Sequence, residues 1–216
     1  MNFKKITLVL FLTFYITQAF CQNTTTPDTN HIKKDKFFHK FFIRSPYLTF
    51  TNFGDEKTNT HHYELHLGYR LTSKDKIGIK VSTWKLFAPL GIPLWDPLFL
   101  KESEFYPGRL QESGIGIIYQ RMLWKGLYAS VEVMPLKQKF LDLNNNKIGE
   151  GFRLYTSYHI GYHISMFKNR LFIEPQIHCN YWPIDSKRPQ GFKEKDDKWN
   201  NYFLFEPNLY IGIKLK

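Results

Sequence analysis

Histidines and glutamates recur at alternate positions in this chain. His62, Glu64 and His66 fall on one parity; His159 and His163 share a parity in a later segment, and His178 lies on the same face in the segment after it. Alternate spacing puts residues on one face of a strand. If the chain turns at Lys168-Asn169, residues whose numbers sum to 337 lie opposite one another, so His159 faces His178 and His163 faces Glu174. Two facing imidazoles are a partial ligand set for zinc, which normally takes four ligands. The spacing assigns no third ligand, so the expectation is histidines hydrogen-bonded within a core, with no metal and no cofactor. The stretch DLNNNKIGEG (142–151) has an oxygen-rich start, but a calcium loop wants glycine at its sixth position and glutamate at its twelfth. Lys147 and Arg153 stand there, and the segment reads as an Asn/Gly turn.

These residues need strands to position them. The chain opens on MNFKKITLVLFLTFYITQAFCQ, a basic start, an apolar stretch and a small-x-small site before Gln22. That is the form of a secretory signal peptide over 1–21. Its removal takes away Cys21 and leaves Cys179 without an intramolecular partner. A polar tail over 22–40 is expected to be periplasmic. Losing Lys4 and Lys5 lowers the formal charge from +11 to +9, which suits a solvated basic surface or anionic lipid head groups. Nothing beyond net charge suggests nucleic acid.

From residue 41 onward the sequence breaks into period-2 runs, near 41–51, 61–71, 76–86, 111–121, 126–137, 152–166, 171–183 and 201–215. Connections alternate between short (72–75, 123–125, 168–169) and long (52–60, 87–110, 138–151, 184–200). Eight alternating runs of roughly ten residues, with short turns at one rim and long loops at the other, predict an all-β fold. It is an eight-stranded antiparallel up-and-down transmembrane β-barrel spanning 41–216, with short periplasmic turns and four long extracellular loops. Strand one is interrupted by Arg44-Ser45-Pro46, where a bulge is expected.

The last run decides which face meets lipid. Its even positions include Glu206 and Lys214, its odd ones Phe203, Phe205, Leu209, Ile211 and Ile213. A basic side chain at mid-bilayer costs about 2–4 kcal/mol, so the even face is inward. The same test sends Tyr63, Tyr69, Tyr119, Tyr162, Tyr181 and Phe203 outward as interfacial aromatics. It turns the acids Glu64, Glu112, Glu132, Glu174 and Glu206 inward. The inward bases are Arg70, Lys80, Arg153 and Lys214. An eight-stranded lumen is just wide enough for side chains to fill, so these groups are expected to pair as a plug. A lipocalin-type barrel, apolar inside, is excluded.

On this pattern the chain resembles the small eight-stranded outer-membrane barrels of Gram-negative bacteria. The resemblance covers 41–216 and implies the cell outer membrane as location. It implies outer-membrane lipid, including lipopolysaccharide, and the barrel-assembly machinery as partners. Such barrels commonly end in an aromatic residue, whereas here Leu215-Lys216 stand last. The stretch YHISMFKNRLFIEP resembles the His-x-Ser plus downstream Glu of outer-membrane lipid A deacylases. That likeness implies His163 as base, Ser165 as nucleophile and Glu174 as the residue orienting His163, although Met166-Phe167 depart from the family's pattern.

The leading expectation is a non-enzymatic barrel acting through its outer loops. A lipid A-modifying enzyme and a narrow solute channel stand as the alternatives. The second outer loop, FAPLGIPLWDPLFLKESEFYPGRL, is too apolar to be solvated throughout. It is expected to cover the barrel mouth or lie on the outer leaflet through Leu94, Trp95, Leu98 and Phe99.

Overall fold

The computed structural model describes residues 40–47, 49, 52 and 58–215. The leader and the tail up to His39 lie outside the described residues. Nine strand segments form one antiparallel sheet: β1 (Phe41–Pro46), β2 (Tyr63–Arg70), β3 (Asp75–Leu86), β4 (Arg109–Trp124), β5 (Leu127–Leu141), β6 (Lys147–Tyr162), β7 (Ile164–Met166), β8 (Leu171–Ser186) and β9 (Tyr202–Lys214). β6 and β7 are one strand interrupted at His163. Apart from β6 and β7, each segment pairs with its neighbour in sequence; β6 pairs with β8, and β1 pairs with β9. The sheet therefore closes as an eight-stranded up-and-down barrel, which leaves no free edge.

Alternation drives this closure. Along β3, Lys76, Lys80, Ser82, Trp84 and Leu86 are buried while Ile77, Ile79 and Val81 are exposed. In β4, Ile115 and Ile117 are exposed on either side of buried positions. β3 and β4 thus turn β-branched residues outward, and β2 turns out Leu65 and Leu67. The turn between β4 and β5 is Lys125-Gly126, both at positive φ (40° and 100°), the backbone a two-residue hairpin requires. The β7–β8 turn holds Phe167, Lys168 and Asn169 at positive φ.

Three expectations are corrected. The connection over 138–151 is not a long loop, because β5 runs to Leu141 and β6 starts at Lys147. A five-residue tip remains, where the Asp142 carboxylate accepts from the Asn144 and Asn146 amides at 2.8 Å each. Three connections are long, not four. Strand one carries no bulge; Arg44 faces inward and Phe42 to Pro46 pair in unbroken register with β9. Register shifts lie elsewhere, among them a bulge in β9, where the pairing shifts between His178 and Asn180 and Phe205 takes φ 57°. That extra residue reverses the facing of the strand's first residues, so Phe203 is buried inside and Tyr202 and Leu204 are outward.

The interior changes character along its axis. Toward the short turns it is charged. Toward the long loops Trp84, Leu86, Leu110, Met134, Leu136, Phe140 and Trp182 form an apolar core with loop residues Tyr106 and Phe192. The short-turn end is closed by two rings, Phe42 and Phe172, packed edge to face at 5.8 Å. Each ring lies over a glycine of an adjacent strand, Gly68 and Gly212, where a Cβ would come within 2.0 and 2.2 Å of ring atoms. A Gly68→Val variant is therefore expected to displace Phe42 and to cost about 1–3 kcal/mol. The check is a lowered urea midpoint at unchanged slope.

Candidate functional site

Three charged clusters occupy the lumen. Lowest is the Glu174 cluster. Glu174 (β8) is fully buried and binds four partners: Arg44 of β1, Lys76 of β3 (3.2 Å), Gln120 of β4 (3.2 Å) and His163 (2.7 Å). Arg44 also donates to Gln120 Oε1 at 2.9 Å, and its guanidinium sits 4.4 Å from the Tyr210 ring centroid. His163 continues the chain outward. With Nδ1 directed to the carboxylate, its Nε2 is free to accept from Ser165 Oγ at 3.1 Å. Lys214 Nζ donates to the same hydroxyl at 3.1 Å and to Asn169.

The second cluster centres on Glu64 of β2. His66 Nε2 lies 2.5 Å away, Lys80 and His62 at 3.3 Å, and Tyr210 donates its hydroxyl at 3.1 Å. Lys80 bridges from Glu64 to Glu132 of β5. Beside it, Glu206 accepts from His178 (2.7 Å) and Asn180 (2.8 Å), both at Oε2. The third cluster lies highest. Glu112 pairs with Arg153 (3.0 Å) and accepts from Trp84 (2.7 Å) and Gln138 (2.9 Å), while Arg153 binds Asp185 at 2.6 Å.

Among the residues expected to form the lumen network, Glu64, Lys80 and Glu132 thus come together, as do Glu112 and Arg153. Glu174, His163, Ser165 and Lys214 form a separate chain. Arg70 stays at the short-turn rim, half-buried. Arg44, Lys76, Gln120 and Asp185 are lumen residues that sequence pattern alone did not single out. Lys76 shares the parity of Lys80 and was legible; Arg44 was hidden by the Arg-Ser-Pro interruption.

His159 faces His178, with ring centroids 5.1 Å apart, as the register arithmetic requires. The expectation of hydrogen-bonded core histidines fails at His159, however. It is buried, and neither ring nitrogen has a partner among the described residues. No group of three metal-ligating side chains is gathered among the described residues.

Loop two, between β3 and β4, folds over the mouth. Its neck is closed by the Tyr106 amide donating to Phe87 O at 2.9 Å, and Phe87, Ile92 and Tyr106 are buried. Leu94 and Phe99 border the cavity beneath it, but Leu94 is also exposed; Leu98 is half-buried, and Trp95 stands 66% exposed. Loop four, between β8 and β9, carries a short helix, α1 (Gln190–Asp196). Its Phe192 is fully buried against Tyr106 (4.8 Å) and Phe140 (5.0 Å). Tyr106 donates to Asp196 at 2.5 Å, and Arg188 pairs with Asp196 at 3.1 Å.

No family model and no curated protein matches the chain. Among solved structures, the crystal structure of Neisserial surface protein A (NspA) is similar at 12% identity, covering 81% of this chain and 97% of that one with a TM-score of 0.43.

Two outcomes follow. Glu174 holds two buried cations, so Glu174→Ala leaves both unpaired and is expected to cost about 3–5 kcal/mol, read as a lower denaturation midpoint. Burial raises the Asp196 carboxyl above its ordinary value, outweighing Tyr106 and the nearby arginines. The folded chain thus holds a proton that the unfolded chain has released. The contribution of Asp196 is full below the unfolded carboxylate value and is lost as pH rises through the raised one. Amide exchange in α1, corrected for intrinsic rate, should quicken over that window in the wild type and stay flat in Asp196→Asn.

Proposed function

We propose that this chain is an outer-membrane barrel whose lumen is closed to through-flow and whose long loops make its surface contacts. The outward belt supports a lipid setting. Leu65, Leu67, Ile79, Val81, Ile115, Ile117, Ile160 and Ile177 are each about half exposed or more, too much contiguous apolar surface for water. From Leu154 to Tyr162, β6 offers ~26 Å of strand, ~20 Å once tilted, near the height of a membrane barrel's apolar band. The observation that carries the closed-lumen reading is the chain of ion pairs linking β1, β2, β3, β5 and β8 across the interior. It opposes a solute channel. Purified protein in a planar bilayer is expected to give no unitary current steps; reproducible steps would overturn this reading. The partners we assign are outer-membrane lipid, including lipopolysaccharide, and the barrel-assembly machinery.

A second reading rests on the Ser165–His163–Glu174 chain, whose distances of 3.1 and 2.7 Å are those of a nucleophile, base and orienting acid. Against it, Glu174 also binds Arg44 and Lys76, and the three side chains lie at the short-turn end, away from the outer leaflet. Lipid A from cells with and without the protein, and with Ser165→Ala, is expected to show one acyl pattern throughout. A pattern lost in Ser165→Ala would replace the first reading by the second.

A further inference from the structure

Above the ion pairs and below loop two the lumen is not filled. A cavity of about 310 Å³ remains, with polar side chains as its floor and aromatic and aliphatic ones as its walls and roof. By volume it is worth roughly ten waters, room for a ligand of about ten to fifteen non-hydrogen atoms. Its walls include Trp84, Tyr155, Trp182 and Phe203, and loop two roofs it.

The floor is built for hydrogen bonding yet incompletely bonded. His159 is 5% exposed and, among the described residues, neither of its nitrogens has a partner and His178 Nδ1 lacks one as well. Buried polar groups without partners are rare and costly. Water satisfies some such groups, but a cavity this apolar around its rim favours a partner with its own apolar body. Charge selects the head group. Glu64 and Glu206 both line the cavity and Glu132 lies behind it, while among the described residues Lys80 is the one lining Lys or Arg and is already shared between Glu64 and Glu132. No Lys or Arg among the described residues pairs with Glu206, whose hydrogen bonds all reach Oε2. A carboxylate would meet this surplus of acid; an ammonium would offset it.

We propose that this cup binds a small aromatic amine. Its ammonium would pair with Glu206, His159 would serve as an uncharged acceptor on the other side of His178, and its ring would lie among Trp84, Trp182 and Phe203. Aromatic walls also attract the cationic head directly. The idea goes beyond a closed lumen, since the ion pairs below need not open for the cup to fill.

Three isosteric probes separate the possibilities: tryptamine, tryptophol and indole-3-acetate, titrated calorimetrically into the refolded full chain in detergent. Tryptamine is expected to bind saturably at one site. Tryptophol should bind at least tenfold more weakly and indole-3-acetate not at all. Glu206→Gln should weaken tryptamine tenfold or more, and His159→Phe, which both fills the cup and removes its acceptor, should abolish binding. Circular dichroism and thermal unfolding confirm that each variant folds; if Glu206→Gln does not, His159→Phe decides. Absence of saturable tryptamine binding to the wild type overturns the proposal, as does equal binding of the alcohol or the acid. So does unchanged affinity in a folded variant. None of these results bears on bilayer conductance, so the two readings fail separately.

Discussion

Because eight strands close around a space that side chains alone can nearly fill, a charged group turned inward away from the cavity must find its counter-charge there. Water is too scarce to solvate it and the wall too narrow to let it swing away. Glu174 meets this constraint with partners from three other strands, and Glu64 through Lys80, Tyr210 and two neighbouring histidines on its own side of the barrel. A buried pair gives little net stability compared with a well-packed apolar one. Its consequence here is specificity. A one-residue slip of any strand would exchange the faces, sending Glu or Lys into the apolar belt and Ile or Leu into the charge network. Both errors are costly, so the network and the belt fix the same register from opposite sides.

The alternation that makes this work was legible from residue types alone. Lys80, Glu132, Arg153 and Glu206 could be placed inward because the nearest positions of opposite parity are mostly apolar. The pairing of His159 with His178, and of His163 with Glu174, followed from a turn position and simple register. What escaped is equally physical. Phe203 was misplaced because the β9 bulge at Phe205 shifts parity by one, and a left-handed phenylalanine leaves no mark in sequence. The 138–151 connection was mistaken for a loop because Lys137, Lys139 and Glu150 put charge on the outward face. A strand that continues past an apolar belt has solvent outside it and is free to carry such charge. Arg44 was missed since so short a strand, ending at a proline, offers too few residues for a period to declare itself.

Pairwise contacts, by contrast, cannot be read from parity. Parity says that Glu64 and Glu206 point inward; it does not say that one gains a lysine and the other does not. That difference depends on axial height and on which strands face each other across the lumen, set by the shear of the closed sheet.

The two halves of the interior make complementary use of the same volume. In the short-turn half, long charged side chains reach across and meet, and Phe42 and Phe172 close the end over glycines. In the long-loop half most inward positions become Trp84, Leu110, Leu136 and Phe140, packed around the one Glu112–Arg153–Asp185 cluster, to which Trp84 donates. These surfaces need an apolar cover from above, and loop two, with Phe87, Ile92 and Tyr106 buried, supplies it together with Phe192 of α1. The prolines of loop two suit it to this covering role, because they keep the segment irregular while its leucines and aromatics pack. Where the charged floor ends and the aromatic walls begin, neither material completes the packing of the other. His159 lies at that boundary with unpartnered nitrogens. An amphipathic gap in an otherwise tightly paired lumen is therefore a consequence of joining two kinds of core end to end. The loop that covers the apolar half also determines what can enter it.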